Sequence, residues 1–337
     1  MWYLNKMLFS SFLALGTIVA VSSYSWVGMW MGLEINLLSF IPLISTSKNM
    51  FSSESALKYF ISQVLASTIL LLSIIILSTK ALTFLEHNLQ SSLIFNTSLL
   101  LKMGSAPLHF WFPEVMEGLS WLNSMILLTW QKIAPMILLS YSSKTFTLLT
   151  VAVISCMLVS GILGQNHLSL RKIMAYSSIN HIGWMIAASL FFETIWMIYF
   201  TIYSVITLNI TIMFKKLNIF FMKQLTLSMN HEPTIKIFFI LNFLSLGGLP
   251  PFLGFLPKWL TVQVMINENF SSLALIMILA TLMTLYFYMR VTFSTLVLSM
   301  NSLMQIYNPP SHKFFIMSTN LVTLASLILS TLVFNIL

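Results

Sequence analysis

Aspartate is missing altogether from this chain of 337 residues, whose eight acids are all glutamates. Charged residues of both signs make up only 7% of it, against about 25% in an ordinary soluble domain. A chain so poor in charge cannot cover a water-facing surface of its size, which argues against a soluble globule. Cysteine is nearly absent too. Cys156 stands alone, so an intrachain disulfide and a multi-cysteine metal site are both excluded. A glycine-rich nucleotide loop, a CxxCH haem site and an HExxH helix are likewise absent. Catalysis on a soluble substrate has no evident home.

What remains is apolar. Hydrophobic residues reach 58% and the mean hydropathy is +0.92, which points to an all-α polytopic membrane protein. Runs long enough to cross a bilayer fall at about 7–22, 25–45, 57–79, 92–118, 122–141, 145–165, 173–190, 194–214, 235–266, 272–297 and 315–336, about eleven transmembrane helices. The opening run reads as the first of these rather than as a removable leader, because the next follows almost at once. No linker divides the chain, so 1–337 reads as a single transmembrane domain. The stretch 215–234 reads as an interfacial amphipathic piece or as a basic loop, the loop being favoured.

The net charge of +8 has no dense basic cluster behind it, so orientation in a membrane explains it better than a nucleic-acid partner. Outside the spans, every Lys and Arg except Lys80 and Lys144 falls on the side of the amino terminus. By the positive-inside rule that terminus lies inside and the carboxyl terminus opposite.

Lys102, Lys132, Lys258, Arg290 and Glu34 fall within or near spans. There a charge costs about 2.5–3.5 kcal/mol on the lenient scales. Such groups pair, face the bundle interior or mark an ion path. Lysine and glutamate can also change protonation state, as a proton relay requires. Gly28 and Gly32 would let the Glu34 helix approach a neighbour closely. Gly104, Pro107 and Pro113 predict a helix break just after Lys102, and the run GGLPPFLGFLPKWL at 247–260 predicts another just before Lys258. Lys132 lies mid-span beside Thr129, Gln131 and Pro135. His109 reads equally as proton relay and as packing residue. His181, beside Ser177, Ser178 and Asn180, reads as part of a polar patch that holds water or as a satisfied packing histidine. Glu114 and Glu117 read as solvated or partner-facing, and Arg290 as an anchor or ion-pair member.

Five motifs then carry a family resemblance: GLEINLLSFIPL at 32–43, LKMGSAPLHFWFPEVMEGLSW at 101–121, TWQKIAPM at 129–136, LRKIMAYSSINHIGWM at 170–185 and NFLSLGGLPPFLGFLPKWL at 242–260. They resemble the antiporter-like membrane-arm subunits of mitochondrial respiratory complex I (NADH:ubiquinone oxidoreductase), in the shortened insect-type form. The resemblance implies an antiporter-like fold with two broken helices and a truncated amino-terminal bundle. It implies that Glu34 pairs with Lys102, that Lys132 is the connecting lysine, and that Lys258 serves the second broken helix. The axis they form would move protons, driven by quinone reduction elsewhere in the complex. A neighbouring carboxylate raises a lysine's proton affinity and burial lowers it, so toggling one pair switches which group holds the proton.

No cofactor or metal is expected in this chain, since NADH, FMN, iron–sulfur clusters and ubiquinone are used elsewhere in such a complex. The partners implied are neighbouring antiporter-like chains, accessory subunits and phospholipids such as cardiolipin. The place implied is the mitochondrial inner membrane, with the amino terminus on the matrix side and the carboxyl terminus on the intermembrane-space side. The rival readings are a free-standing cation/proton antiporter and a purely structural membrane subunit.

Overall fold

Uninterrupted apolar sequence in a bilayer leaves the backbone one economical choice, because each amide must find its partner within its own segment. The computed structural model, which describes residues 2–45, 49–80, 87–229 and 233–297, is accordingly helical. Its helices are α1 (Trp2–Ser22), α2 (Trp26–Ile44), α3 (Met50–Lys80), α4 (His87–Met103), α5 (Trp111–Gly118), α6 (Trp121–Leu128) and α7 (Trp130–Tyr141). They continue with α8 (Phe146–Gly164), α9 (Leu170–Phe191), α10 (Glu193–Leu217), α11 (Met222–Met229), α12 (Pro233–Gly247), α13 (Phe255–Asn267) and α14 (Ser271–Val297). Serine and threonine within them fold back onto the preceding turn, as Ser39 does on the Asn36 carbonyl at 2.8 Å, so their hydroxyls are satisfied without water.

Among the described residues seven segments are long and apolar enough to cross a membrane: Asn5–Ser22, Trp26–Ile44, Met50–Ser78, Trp121–Tyr141, Phe146–Gly164, Glu193–Leu217 and Ser271–Leu296. The expected run 92–118 is divided between α4 and α5, and 235–266 between α12 and α13. The run 173–190 lies in α9, which its serines, Asn180 and His181 make more polar. The expected last run, 315–336, lies outside the described residues. The stretch 215–234 is less of a loop than expected: α10 runs on to Leu217, Asn218 ends it in the left-handed region, and α11 follows.

The chain forms two compact units, Met1–Cys156 and Met157–Leu337. In the first, α1 and α2 lie antiparallel and almost backbone to backbone. A Cβ on Gly32 would stand 2.4 Å from the Ala20 nitrogen, so only glycine allows the approach. Gly28, expected to help, instead abuts Ser23 and Ser25 at the start of its own helix. α3 packs on α2, α4 and α5. Asn96 ties α4 to the α7–α8 loop, donating to Ser143 O and Thr145 Oγ1 and accepting from Ser142 Oγ.

In the second unit α9 is the central helix, buried at every residue from Ile173 to Leu190, with α10, α13 and α14 against it. Its start is tied to that of α11 by one antiparallel bridge, Ser169 with Phe221. Arg290 of α14 donates to the Gln165 carbonyl at 2.5 Å and to that of His167 at 3.2 Å. It thus anchors the end of α8 through backbone oxygens.

Candidate functional site

Proline and glycine stop a helix and leave its last carbonyls without partners. After α4, Gly104 takes φ +72°. Its N–H donates to Leu101 O and that of Ser105 to Leu100 O, both at 3.1 Å. That is the Schellman arrangement, which a residue with a Cβ fills poorly. Further donors complete the turn. Gln63 Nε2 reaches Lys102 O at 3.3 Å, Trp111 Nε1 reaches Leu101 O at 3.1 Å, and Ser105 Oγ reaches Leu100 O at 3.0 Å. The segment between α4 and α5 holds a cis Ala106–Pro107 bond and is pinned to α8, where Ala106 N donates to Cys156 Sγ at 3.1 Å.

With those carbonyls answered, the side-chain nitrogen of Lys102 has no hydrogen bond or ion pair among the described residues. Lys102 lines a small cavity together with Lys132, Asn36, Tyr59, Gln63 and Gln131. The cavity has ≈ 20 Å³ of room for water centres. Lys132, 1% exposed, comes from α7, whose start is offset from α6 by a break at Thr129. Its nitrogen stands 5.8 Å from the centre of the Phe112 ring. The adjacent Gln131 donates to Asn36 Oδ1 at 3.0 Å, joining α7 to α2.

Glu34 is within electrostatic reach of both Lys102 and Tyr59. The expected ion pair with Lys102 is not formed among the described residues, whereas Lys58 contacts Glu54 and Glu114 at 2.9 Å each. Helix geometry explains it. Leu33, Asn36 and Leu37 of α2 face the cavity, and Glu34 lies about 100° round the helix from Leu33. Its Oε1 is buried without a hydrogen-bond partner.

After α12 the same cap recurs. Gly248 has φ +76°, its N–H donating to Ser245 O at 3.0 Å and that of Leu249 to Leu244 O at 3.4 Å. Here the lysine itself answers the freed carbonyls: Lys258 Nζ donates to Gly247 O at 2.9 Å and to Leu246 O at 3.3 Å. A cation at the negative end of a helix is also favoured by the helix dipole. The same nitrogen stands 6.0 Å from the Trp184 ring centre.

The histidines sit elsewhere. His109 is buried, its Nδ1 3.2 Å from Pro107 O. A carbonyl only accepts, so Nδ1 carries the proton in that bond. His109 does not line the Lys102–Lys132 cavity. His181, on α9, bonds Tyr199 Oη at 2.8 Å and lies against Tyr203. In its patch Asn180 Nδ2 reaches Thr284 Oγ1 at 3.3 Å, while Asn180 Oδ1 is buried without a partner. Glu114, expected to be solvated or partner-facing, is exposed and held by Lys58.

Reading the sequence for charge passed over Tyr59, Gln63 and Asn36. The signal available was an amide or phenol in an otherwise apolar span. It carries weight because an amide in hydrocarbon needs a partner.

A family model described as NADH:quinone oxidoreductase/Mrp antiporter, transmembrane, matches residues 23–284. NADH-ubiquinone oxidoreductase chain 2 of Anopheles gambiae is 48% identical over 298 residues, covering 88% of this chain and 87% of the relative. That of Aedes aegypti is 45% identical over 340 residues, covering 99% of each. Among solved structures, a chain of respiratory complex I from Thermus thermophilus with bound Aureothin is similar with a TM-score of 0.85 at 21% identity, over 95% of this chain and 77% of that one. A chain of the Mrp complex from Dietzia sp. DQ12-45-1b is similar with a TM-score of 0.74 at 15% identity, over 96% and 74%. At those identities the structural likeness is one of fold.

Proposed function

The chain belongs to the NADH:quinone oxidoreductase/Mrp antiporter family, and on that premise we propose that it is a proton-translocating membrane-arm subunit of respiratory complex I. Electron transfer from NADH to ubiquinone takes place in other subunits. This chain carries protons through Glu34, Lys102, Lys132 and Lys258, with His109 and His181 as supporting groups. About eleven spans, two of them broken at 104–110 and 248–254, form one transmembrane domain in the mitochondrial inner membrane. The amino terminus faces the matrix and the carboxyl terminus the intermembrane space. Neighbouring antiporter-like chains, accessory subunits and phospholipids such as cardiolipin cover its faces. NADH, FMN, iron–sulfur clusters and ubiquinone belong to the rest of the complex.

The observation that carries this reading is the cavity shared by Lys102 and Lys132, with Glu34 in electrostatic reach of Lys102. Two buried lysines lining one small cavity serve no packing purpose that methionine would not serve better. They can, however, exchange a proton. A displacement of α2 alters the Glu34–Lys102 interaction and so moves the proton between the lysines. Lysine suits the task because it is charged in one state and neutral in the other, and only one charge need occupy the cavity at a time.

The test is Lys102→Met in the assembled complex, sealed in vesicles. Proton uptake driven by NADH is expected to fall by about 10²-fold or more, an effect of the size that loss of a proton-transfer group gives, while the native particle mass is unchanged. Normal assembly together with normal pumping would refute the relay.

A further inference from the structure

The cavity between Lys102 and Lys132 has polar walls that the lysines alone do not explain. We propose that the Asn36–Gln131 amide bridge is the positioning element of a single-water site in that cavity, and that proton passage between the two lysines runs through the water it orients. The inference rests on the reading of Lys102 and Lys132 as proton carriers.

Size comes first. A water site needs about 10–15 Å³ of room for its centre and two to four polar partners. The cavity offers ≈ 20 Å³, enough for a water. The polar inventory then assigns its partners. Gln63 Nε2 is committed to Lys102 O, and Gln131 Nε2 to Asn36 Oδ1. Each amide carries an oxygen and an NH2, so the bridge leaves Gln131 Oε1 as an acceptor and Asn36 Nδ2 as a donor on two residues that line the cavity. A water there accepts from Asn36 and from the charged lysine, and donates to Gln131 and to the neutral one. All four of its bonds are used and its orientation is set.

The step balances. One N–H bond of the Lys102 ammonium breaks as an O–H bond forms on the water. A different O–H bond of that water breaks as an N–H bond forms on Lys132. The cavity keeps one positive charge throughout and the water is regenerated.

Position in the chain adds a coupling. Asn36 lies on α2 two residues after Glu34, and Gln131 lies on α7 next to Lys132. Pro135 lacks the N–H that would otherwise bond the Gln131 carbonyl, so α7 is yielding at this turn. A shift of α2 that changes the Glu34–Lys102 interaction therefore also strains the Asn36–Gln131 bond. The carboxylate and the water gate would move together.

The test uses the intact complex in sealed vesicles, with Gln131→Leu, Asn36→Leu, the exchanged pair Asn36→Gln with Gln131→Asn, and Lys102→Met beside them. Each leucine variant is expected to lower the pumping rate about tenfold, since misplacing a transfer group by a fraction of an ångström has effects of that order. The solvent deuterium isotope effect should rise, and the exchanged pair should recover most of the rate. A general packing defect would not shift the isotope effect. If Lys102→Met abolishes pumping while both leucine variants pump normally, the amide proposal is overturned and the lysine reading stands. If Lys102→Met itself pumps normally, both fall. Should the leucine variants not assemble, a structure of the unmodified complex that resolves waters decides. One water bonded to Asn36 and Gln131 between the lysines sustains the proposal; a dry cavity, or waters that bypass the amides, overturns it.

Discussion

After α4 the carbonyls freed by the helix stop are met by neutral donors, Gln63, Trp111 and Ser105, and the lysine is left lining a cavity. After α12 they are met by Lys258 itself, and that lysine is held against the backbone. The cap is the same in both places, a glycine at φ +72° or +76° with the same two backbone bonds. The lysine's place in the chain makes the difference. Lys102 belongs to the helix that ends, so its side chain leaves the axis sideways. Lys258 belongs to the helix that follows, so it reaches back over the turn. One lysine lines a pocket with no described hydrogen bond to its nitrogen, the other is held by two carbonyls. Identical backbone chemistry can thus serve two electrostatic roles.

The comparison can be broken in three ways. The largest effect is expected at Gly254, whose added Cβ would run into the Ser245 carbonyl. Gly254→Ala should cost more than about 4 kcal/mol and leave no assembled complex on a native gel. Gly104→Ala meets the Cβ and ring of Phe112 at 3.0 Å, a tight contact but a milder one than that at Gly254. It adds a left-handed strain of about 1–2 kcal/mol, and assembled complex should remain. Equal loss in both variants would mean that the two turns are equally crowded.

The lysines come next. Lys258→Met leaves two buried carbonyls without their donor and should lower stability by about 1–3 kcal/mol, read as a drop in the melting temperature of the purified complex. Lys102→Met removes no described hydrogen bond, so its melting temperature should stay within error of the parent. A larger drop for Lys102→Met would place the clamp at the wrong break. The smallest effect is expected from Lys58→Gln. The Lys58 contacts to Glu54 and Glu114 are solvent-exposed, and such pairs contribute little, so thermal melting should not change measurably. A clear drop would mean that this pair, rather than the Gly118 contact with Phe51 and Ser55, holds α5 to α3.

Much of this was legible in the chain. The apolar runs and the missing charge announce a helical membrane protein. Gly104 and Pro107, like Gly247 to Pro251, mark the places where α4 and α12 end. Lys102, Lys132 and Lys258 stand out because a charge is rare in such company. Other features were not legible. Glu34 reads as the partner of Lys102, yet the period of α2 turns it away from the cavity that Asn36 faces. Asn36 and Gln131 are 95 positions apart, and no spacing rule joins residues at that distance. Arg290 reads as an anchor or an ion-pair member, but the two carbonyls it anchors to lie more than a hundred positions earlier, and backbone oxygens have no sequence signature.

The sequence by itself determined the class of the protein, the extent of most helices and the points where two of them stop. Those depend on local matters: apolar content, the steric limits of proline, and the freedom of glycine at positive φ. Only the tertiary structure decided which donor answers each freed carbonyl, which lysines share a cavity, and which one is clamped. Hydrogen bonding and desolvation are set by what lies within a few ångströms in space, and in a packed helical bundle those neighbours come from distant parts of the chain.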